Sequence, residues 1–242
     1  MRKLILAIGG SLVIAAPVAT ADVVGVGANV SYWDSDLSGK AGKNNDVVDV
    51  ENDLDLESDT NANLSAYLEH PIPLLPNVRL NYTRIEQSGT GEISTEFDQV
   101  SGDVDSDLDL SQFDVTLYYE VLDNWVNLDL GLTARDLDGE LVVREQILGG
   151  QVSKTKVDGV IPMGYLAARF DLPLTGVSVG GEANLISFDG DSVYDYNAYG
   201  QYELSLLQLR AGYRQISIDY EDSDDRLDIE LGGPFVSAGL RF

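Results

Sequence analysis

One parity of this chain excludes charge. In ten stretches, beginning near Val24, Ala62, Val78, Phe113, Val126, Val160, Val177, Tyr194, Leu207 and Pro234, apolar residues recur at every second position and polar residues fill the places between. Val126, Leu128, Leu130, Leu132 and Ala134, for example, alternate with Asn127, Asp129, Gly131, Thr133 and Arg135. All ten apolar sets lack Asp, Glu, Lys and Arg, whereas nine of the ten opposite sets carry at least one of them. A period of two puts the sets on opposite faces of a β-strand, so one face of the sheet tolerates no ions. A charge facing hydrocarbon near a bilayer midplane costs about 2 to 4 kcal/mol, a pressure that would produce such a partition. Each stretch runs about 9 to 12 residues, the length with which a tilted strand crosses a membrane. The sixth is ambiguous, because Ile161, Met163, Tyr165 and Ala167 compete with Val160, Pro162, Gly164, Leu166, Ala168 and Phe170; Arg169 assigns the first group to the polar face.

The connections alternate as well. HPIPLLP, LDN, DLPLT and a single serine form short links, while those at about 34 to 60, 88 to 110, 136 to 159, 189 to 192 and 219 to 230 read as mostly long loops rich in Asp, Asn, Ser and Gly. Short turns at one rim and long polar loops at the other predict an all-β, transmembrane, antiparallel up-and-down β-barrel of ten strands, with eight as the alternative count. Period two alone also fits a soluble, lipocalin-like ligand-binding barrel with its apolar face inward. The aromatic residues argue for lipid: Tyr32 and Trp33, Tyr118 and Tyr119, Trp125, Tyr194 and Tyr196, and Tyr202 fall near strand ends, where interface girdles sit.

Residues 1–21 have a basic start (Arg2, Lys3), an apolar stretch from Leu4 to Val18 and small residues Ala19 and Ala21, the anatomy of a secretory signal cleaved after Ala21. The barrel domain is then 22–242. Its formal charge is 13 − 41 = −28, against −26 for the whole chain, which makes nucleic acid an unsuitable partner. With no cysteine, stability has to come from burial and hydrogen bonding.

The chain closes on PFVSAGLRF, where Pro234, Val236, Ala238, Leu240 and Phe242 share one parity. A signal peptide, alternating strands and a last strand ending in Phe resemble the outer-membrane β-barrel proteins of Gram-negative bacteria, and the layout is similar to small barrels of that kind with unassigned function. The resemblance implies outer-membrane localisation, contact with outer-membrane lipid and lipopolysaccharide, and recognition of Pro234 through Phe242 by the barrel-assembly machinery.

Chemistry is sparse. Barrel enzymes of that membrane depend on a histidine at the outer rim or near the lipid face, whereas His70 lies in the short HPIPLLP turn, at the opposite end. Asp129 and Glu182 share the polar face with Arg135, Arg210, Arg214 and Arg241, which predicts charge networks and ionised carboxylates in place of an acid–base pair. Asp103, Asp105 and Asp107 begin like a calcium loop but meet Leu108 where glycine is required and Asp114 where glutamate is required. Across NDLDLESDTN (52–61) and the residues after it, Leu54, Leu56, Ala62 and Leu64 share a parity, so the acids there read as the inner face of a strand rising above the membrane, with loose attraction for divalent cations. No catalytic, cofactor-binding or metal-ligating residue is assigned. The expectation is a monomeric, non-enzymatic barrel with a polar, largely plugged lumen and a structural or surface-interaction role; a narrow channel for small solutes is the alternative.

Overall fold

The computed structural model describes residues 24–44, 46–222 and 224–242; the expected signal lies outside the described residues. Twelve strands follow in order: β1 (Gly25–Trp33), β2 (Asp36–Lys43), β3 (Asp46–Asp49), β4 (Leu56–Glu69), β5 (Asn77–Phe97), β6 (Val100–Asp123), β7 (Val126–Glu145), β8 (Val152–Leu172), β9 (Val177–Phe188), β10 (Asp191–Leu204), β11 (Leu207–Asp222) and β12 (Asp225–Arg241). Ten of them, β1 and β4 to β12, form a closed antiparallel up-and-down barrel in which β1 pairs with β4 on one side and with β12 on the other. The hairpin β2–β3 continues the wall, because the upper part of β12 pairs with β2 where its lower part pairs with β1.

All ten alternating stretches lie on barrel strands with the expected parity. Val30, Leu64, Leu80, Leu117, Leu132, Leu166, Leu185, Leu209 and Leu240 are exposed on the outer face, and Thr83, Asp114, Arg135, Asp195 and Arg214 are buried inside. The ambiguous sixth also resolves as expected, with Met163, Tyr165 and Ala167 inward. The girdle assignment needs correction at two positions: Trp33 and Tyr118 are 1% and 3% exposed and point into the barrel, whereas Tyr32, Tyr119, Trp125, Tyr196 and Tyr202 face out. Strand parity is the reason, since each inward residue follows or precedes an outward one.

The segments expected as long loops are largely strand. Residues 88 to 110 are the upper halves of β5 and β6, joined at Asp98 and Gln99, and β7 and β8 likewise rise through 136 to 159 around a short link at 146–151. β7 has 20 residues, about 66 Å of chain at about 3.3 Å per residue, or about 50 Å of height at a tilt of about 40°, against an apolar band about 25 Å tall. The sheet therefore continues well past any hydrocarbon layer.

Polarity inverts along the way while parity does not. On β6 the inward residues change from Gln112, Asp114 and Thr116 below to Val104, Leu108 and Leu110 above, and the outward ones from Phe113 and Leu117 to Asp103, Asp105, Asp107 and Asp109. Leu137 and Leu141 of β7, Ile216 and Ile218 of β11 and Leu227, Ile229 and Leu231 of β12 behave in the same way, so the upper half encloses a buried apolar core. In water this is the stable arrangement, with acids solvated and leucines withdrawn. Leu54 and Leu56 join that core at 0% and 6% exposure; the acids of that stretch do not line the inside as expected, for Asp55 and Glu57 are exposed. A β-bulge between Ser58 and Thr60 then shifts the register of β4, so that Ala62 and Leu64 face out.

The boundary between the two halves is visible in the backbone. Between β1 and β2 the chain stays on the same edge of β12 and keeps its register, but the strand is interrupted at Asp34 and Ser35, where Asp34 N–H donates to Pro234 O (3.0 Å) and Trp33 Nε1 to Gly233 O (3.1 Å). A Cβ on Gly233 would stand 1.8 Å from Asp34 O, so only glycine permits this approach.

Candidate functional site

The lumen is the place where polar groups converge, and it is organised in layers. At the short-turn rim a cavity of about 280 Å³ opens between an arc of carboxylates (Glu69 on β4, Glu120 on β6, Asp129 on β7) and an arc of arginines (Arg169 on β8, Arg210 on β11, Arg241 on β12). Glu69 accepts from Tyr118 Oη (3.1 Å) and Glu120 from Asn77 Nδ2 (3.1 Å). On the other arc Arg169 pairs with Asp171 (3.0 Å) and Arg241 approaches Glu203 (3.9 Å).

Above this cavity Glu182 holds two guanidinium groups, Arg79 at 3.0 Å and Arg210 at 3.4 Å. Arg79 Nη1 also donates to Tyr165 Oη (2.9 Å), and Arg210 lies over the Tyr199 ring at 4.6 Å, so charges and aromatic faces together cross the bore. A central cavity of about 80 Å³, room for a few water molecules, separates this layer from the next.

The second layer is more deeply buried. Asp195 accepts from Arg135 Nη2 (2.6 Å) and from Arg214 Nε (3.0 Å) and Nη2 (2.8 Å); Asp114 makes a two-pronged contact with Arg135 (2.8 Å to Nε and 2.8 Å to Nη2). Arg214 also donates to Thr83 Oγ1 (3.3 Å) and lies over the Trp33 ring at 5.0 Å. Such a set is stable only when every charge has its counter-charge, because an unpaired ion out of water is costly. Trp33 forms the transition, carrying the arginine layer on one side and belonging to the apolar core of the upper half on the other.

The expected luminal charge network is present at Glu182, whereas Asp129, expected in one as well, makes no ion pair with an arginine among the described residues. Glu182 is held by Arg210, one of the four arginines expected on that face, and by Arg79, which was not among them. Arg135 and Arg214 meet Asp114 and Asp195, and neither Asp129 nor Glu182. Their signal was available: Asp114 lies directly opposite Arg135 in the β6–β7 register, and Asp195 shares the inward parity of β10. Asp129 stands opposite Glu120 across the same pair of strands, at the rim cavity. His70 is engaged by its own turn, its Nε2 lying 3.2 Å from Pro76 O while Ile72 N–H donates to Nδ1 (3.3 Å). Asp103, Asp105 and Asp107 face outward in a row on β6, where Asp105 accepts from Thr90 Oγ1 (3.2 Å) and Gln146 Nε2 (2.9 Å) and Asp107 pairs with Arg144.

No family model and no curated protein matches the chain. Among solved structures it is similar to the translocator domain of the autotransporter NalP from Neisseria meningitidis (14% identity, TM-score 0.45, covering 93% of this chain and 89% of that one). It is also similar to Neisserial surface protein A (15% identity, TM-score 0.35, 93% and 100%) and to a major outer membrane protein of Thermus thermophilus (10% identity, TM-score 0.39, 91% and 100%).

Proposed function

We propose that this chain is an integral outer-membrane β-barrel whose lumen is plugged, and whose role is structural or one of surface contact, without conduction or catalysis. The observation that carries this is the stacking of two unlike seals in one bore: a paired ionic layer within the part belted by exposed leucines, and a buried apolar core above it. An ion that passed the first would have to shed its hydration in the second. The exposed belt supports hydrocarbon as the solvent of the lower half, since a soluble barrel would withdraw Leu132 or Leu209 as the upper half withdraws Leu137 and Ile216.

The outward acids of the upper half would gather divalent cations loosely and through them meet anionic lipopolysaccharide. Pro234 through Phe242, sealing the barrel against β1, is the stretch the assembly machinery would read. The barrel works as a monomer in this reading. Planar-bilayer recording of the refolded protein tests it: no stable conductance steps are expected, and a reproducible single-channel step would replace the plug with the narrow channel. Leu130→Arg is expected to block stable insertion while Asn127→Arg is tolerated better; equal tolerance would reverse the assignment of faces.

A further inference from the structure

The four short turns, 70–76, 124–125, 173–176 and 205–206, contain no Asp, Glu, Lys or Arg, in a chain with 56 such residues (15 + 41) among 242. They carry apolar side chains that touch little of the protein: Leu74 is 92% and Leu174 106% exposed, with Trp125 at 59%. Both leucines also sit at positive φ, 69° and 66°, a left-handed backbone that suits Gly or Asn and that leucine adopts at a cost. A water-facing turn gains nothing from a strained, unpacked leucine.

Two further features describe the surroundings of the first turn. Tyr119 Oη, on the outward row of β6, donates to Leu74 O (2.9 Å) and holds the turn against the outer face of the barrel, where the leucine belt ends. The turn also leaves few of its backbone donors bare. Three of its seven residues are proline and have no N–H, and of the remaining four, His70 donates to Asn77 Oδ1 (3.0 Å), Ile72 to His70 Nδ1 and Leu75 to Ile72 O (3.4 Å). Leu74 N–H alone has no acceptor among the described residues, so few donors of the turn are left bare where water is scarce. At the next turns Trp125 packs edge-on against the outward Phe170 at 5.2 Å, and Thr175 N–H and Oγ1 both return to Leu172 O. Leu148, also fully exposed, makes the contrast: it stands at the opposite rim, beyond the rows of outward acids, with no continuity to the belt.

We infer that the short turns are anchors seated in the headgroup and acyl boundary of the lipid leaflet beneath the barrel, with Leu74, Leu174 and Trp125 immersed, so that this rim ends inside the membrane and not in the water below it. The partner is a lipid surface, and the inference rests on the membrane reading above. The chain has no cysteine, so single variants Leu74→Cys and Leu174→Cys can be labelled with an environment-sensitive fluorophore and refolded into phosphatidylethanolamine–phosphatidylglycerol vesicles, with Leu130→Cys as the belt control and Asp136→Cys as the water control. Folding of each is checked by heat-modifiable gel mobility. At positions 74 and 174 a blue-shifted emission is expected, quenched by nitroxide placed near the headgroup end of the acyl chain and protected from iodide present on both sides. Iodide quenching at 74 and 174 equal to that at 136, with 130 still protected, overturns the anchoring and leaves the barrel in the membrane. Iodide quenching at 130 removes both readings.

Discussion

The inversion of polarity can be tested along one strand. Leu132 and Asp136 lie on the same outward row of β7, four residues apart, and Leu137 is the next residue inward. At about 3.3 Å per residue the first two are about 13 Å apart along the strand, or about 10 Å in height at a tilt of about 40°. Leu132 belongs to the exposed belt and Asp136 to the solvated acids, so the same arginine should have different consequences. Leu132→Arg is expected to cost about 2 to 4 kcal/mol, the price of a cation in lipid, whereas Asp136→Arg should stay within about 0.5 kcal/mol, as surface substitutions do. Leu137→Ala, at a site 2% exposed within the upper core, should cost about 2 to 5 kcal/mol through lost burial and a residual cavity. Urea titration of the barrel refolded in vesicles, followed by gel mobility of the folded form, reads all three midpoints. Equal costs for the two arginines would place no boundary between them, and an inexpensive Leu137→Ala would mean that the upper interior is not packed.

Asp195→Asn leaves Arg135 and Arg214 without their shared counter-charge and should lower stability by about 3 to 5 kcal/mol in the same titration; an unchanged midpoint would show that the layer is not a closed network. Gly233→Ala should drive its Cβ into Asp34 O, prevent the close approach of Asp34 to β12 and abolish the folded gel species, and normal folding would refute the claim that this approach requires glycine. Glu140, on the outer surface of the upper half, is held at about 2 by hydrogen bonds from Lys154 and then Lys156, below its ordinary 4.5. A lowered carboxylate stabilises the fold above its unfolded value and loses that effect as pH falls, so native protein and Glu140→Gln should differ in urea midpoint at neutral pH and converge between pH 4.5 and 2; a difference that persists at pH 2 would refute the pairing.

The lower half was legible because lipid and lumen impose opposite demands on neighbouring positions, and the ten apolar sets record that demand residue by residue. The upper half kept the same rhythm with its sign reversed. Asp103, Asp105, Asp107 and Asp109 alternate with Val104, Leu108 and Leu110 as regularly as any belt strand, yet their acidity reads as loop composition unless water is recognised as the outer solvent. The bulge at Ser58 and Thr60 hid the inward course of Leu54 and Leu56, because it breaks the parity that sequence counting depends on. The charge layers were predictable as a class but not as pairs: which arginine meets which acid depends on how the sheet curls, which brings Arg79 of β5 to Glu182 of β9 across 103 positions of sequence.

The connections at Asp98–Gln99 and, lower down the wall, at Asp189–Gly190 are each only two residues long and leave little slack between their strands. A protease needs several unpaired residues to thread its cleft, and hydrogen-bonded sheet offers it none. Outside the six-residue links at 50–55 and 146–151, whatever approaches from that side would therefore meet rows of side chains on a stiff lattice, and would read the charges written on its staves.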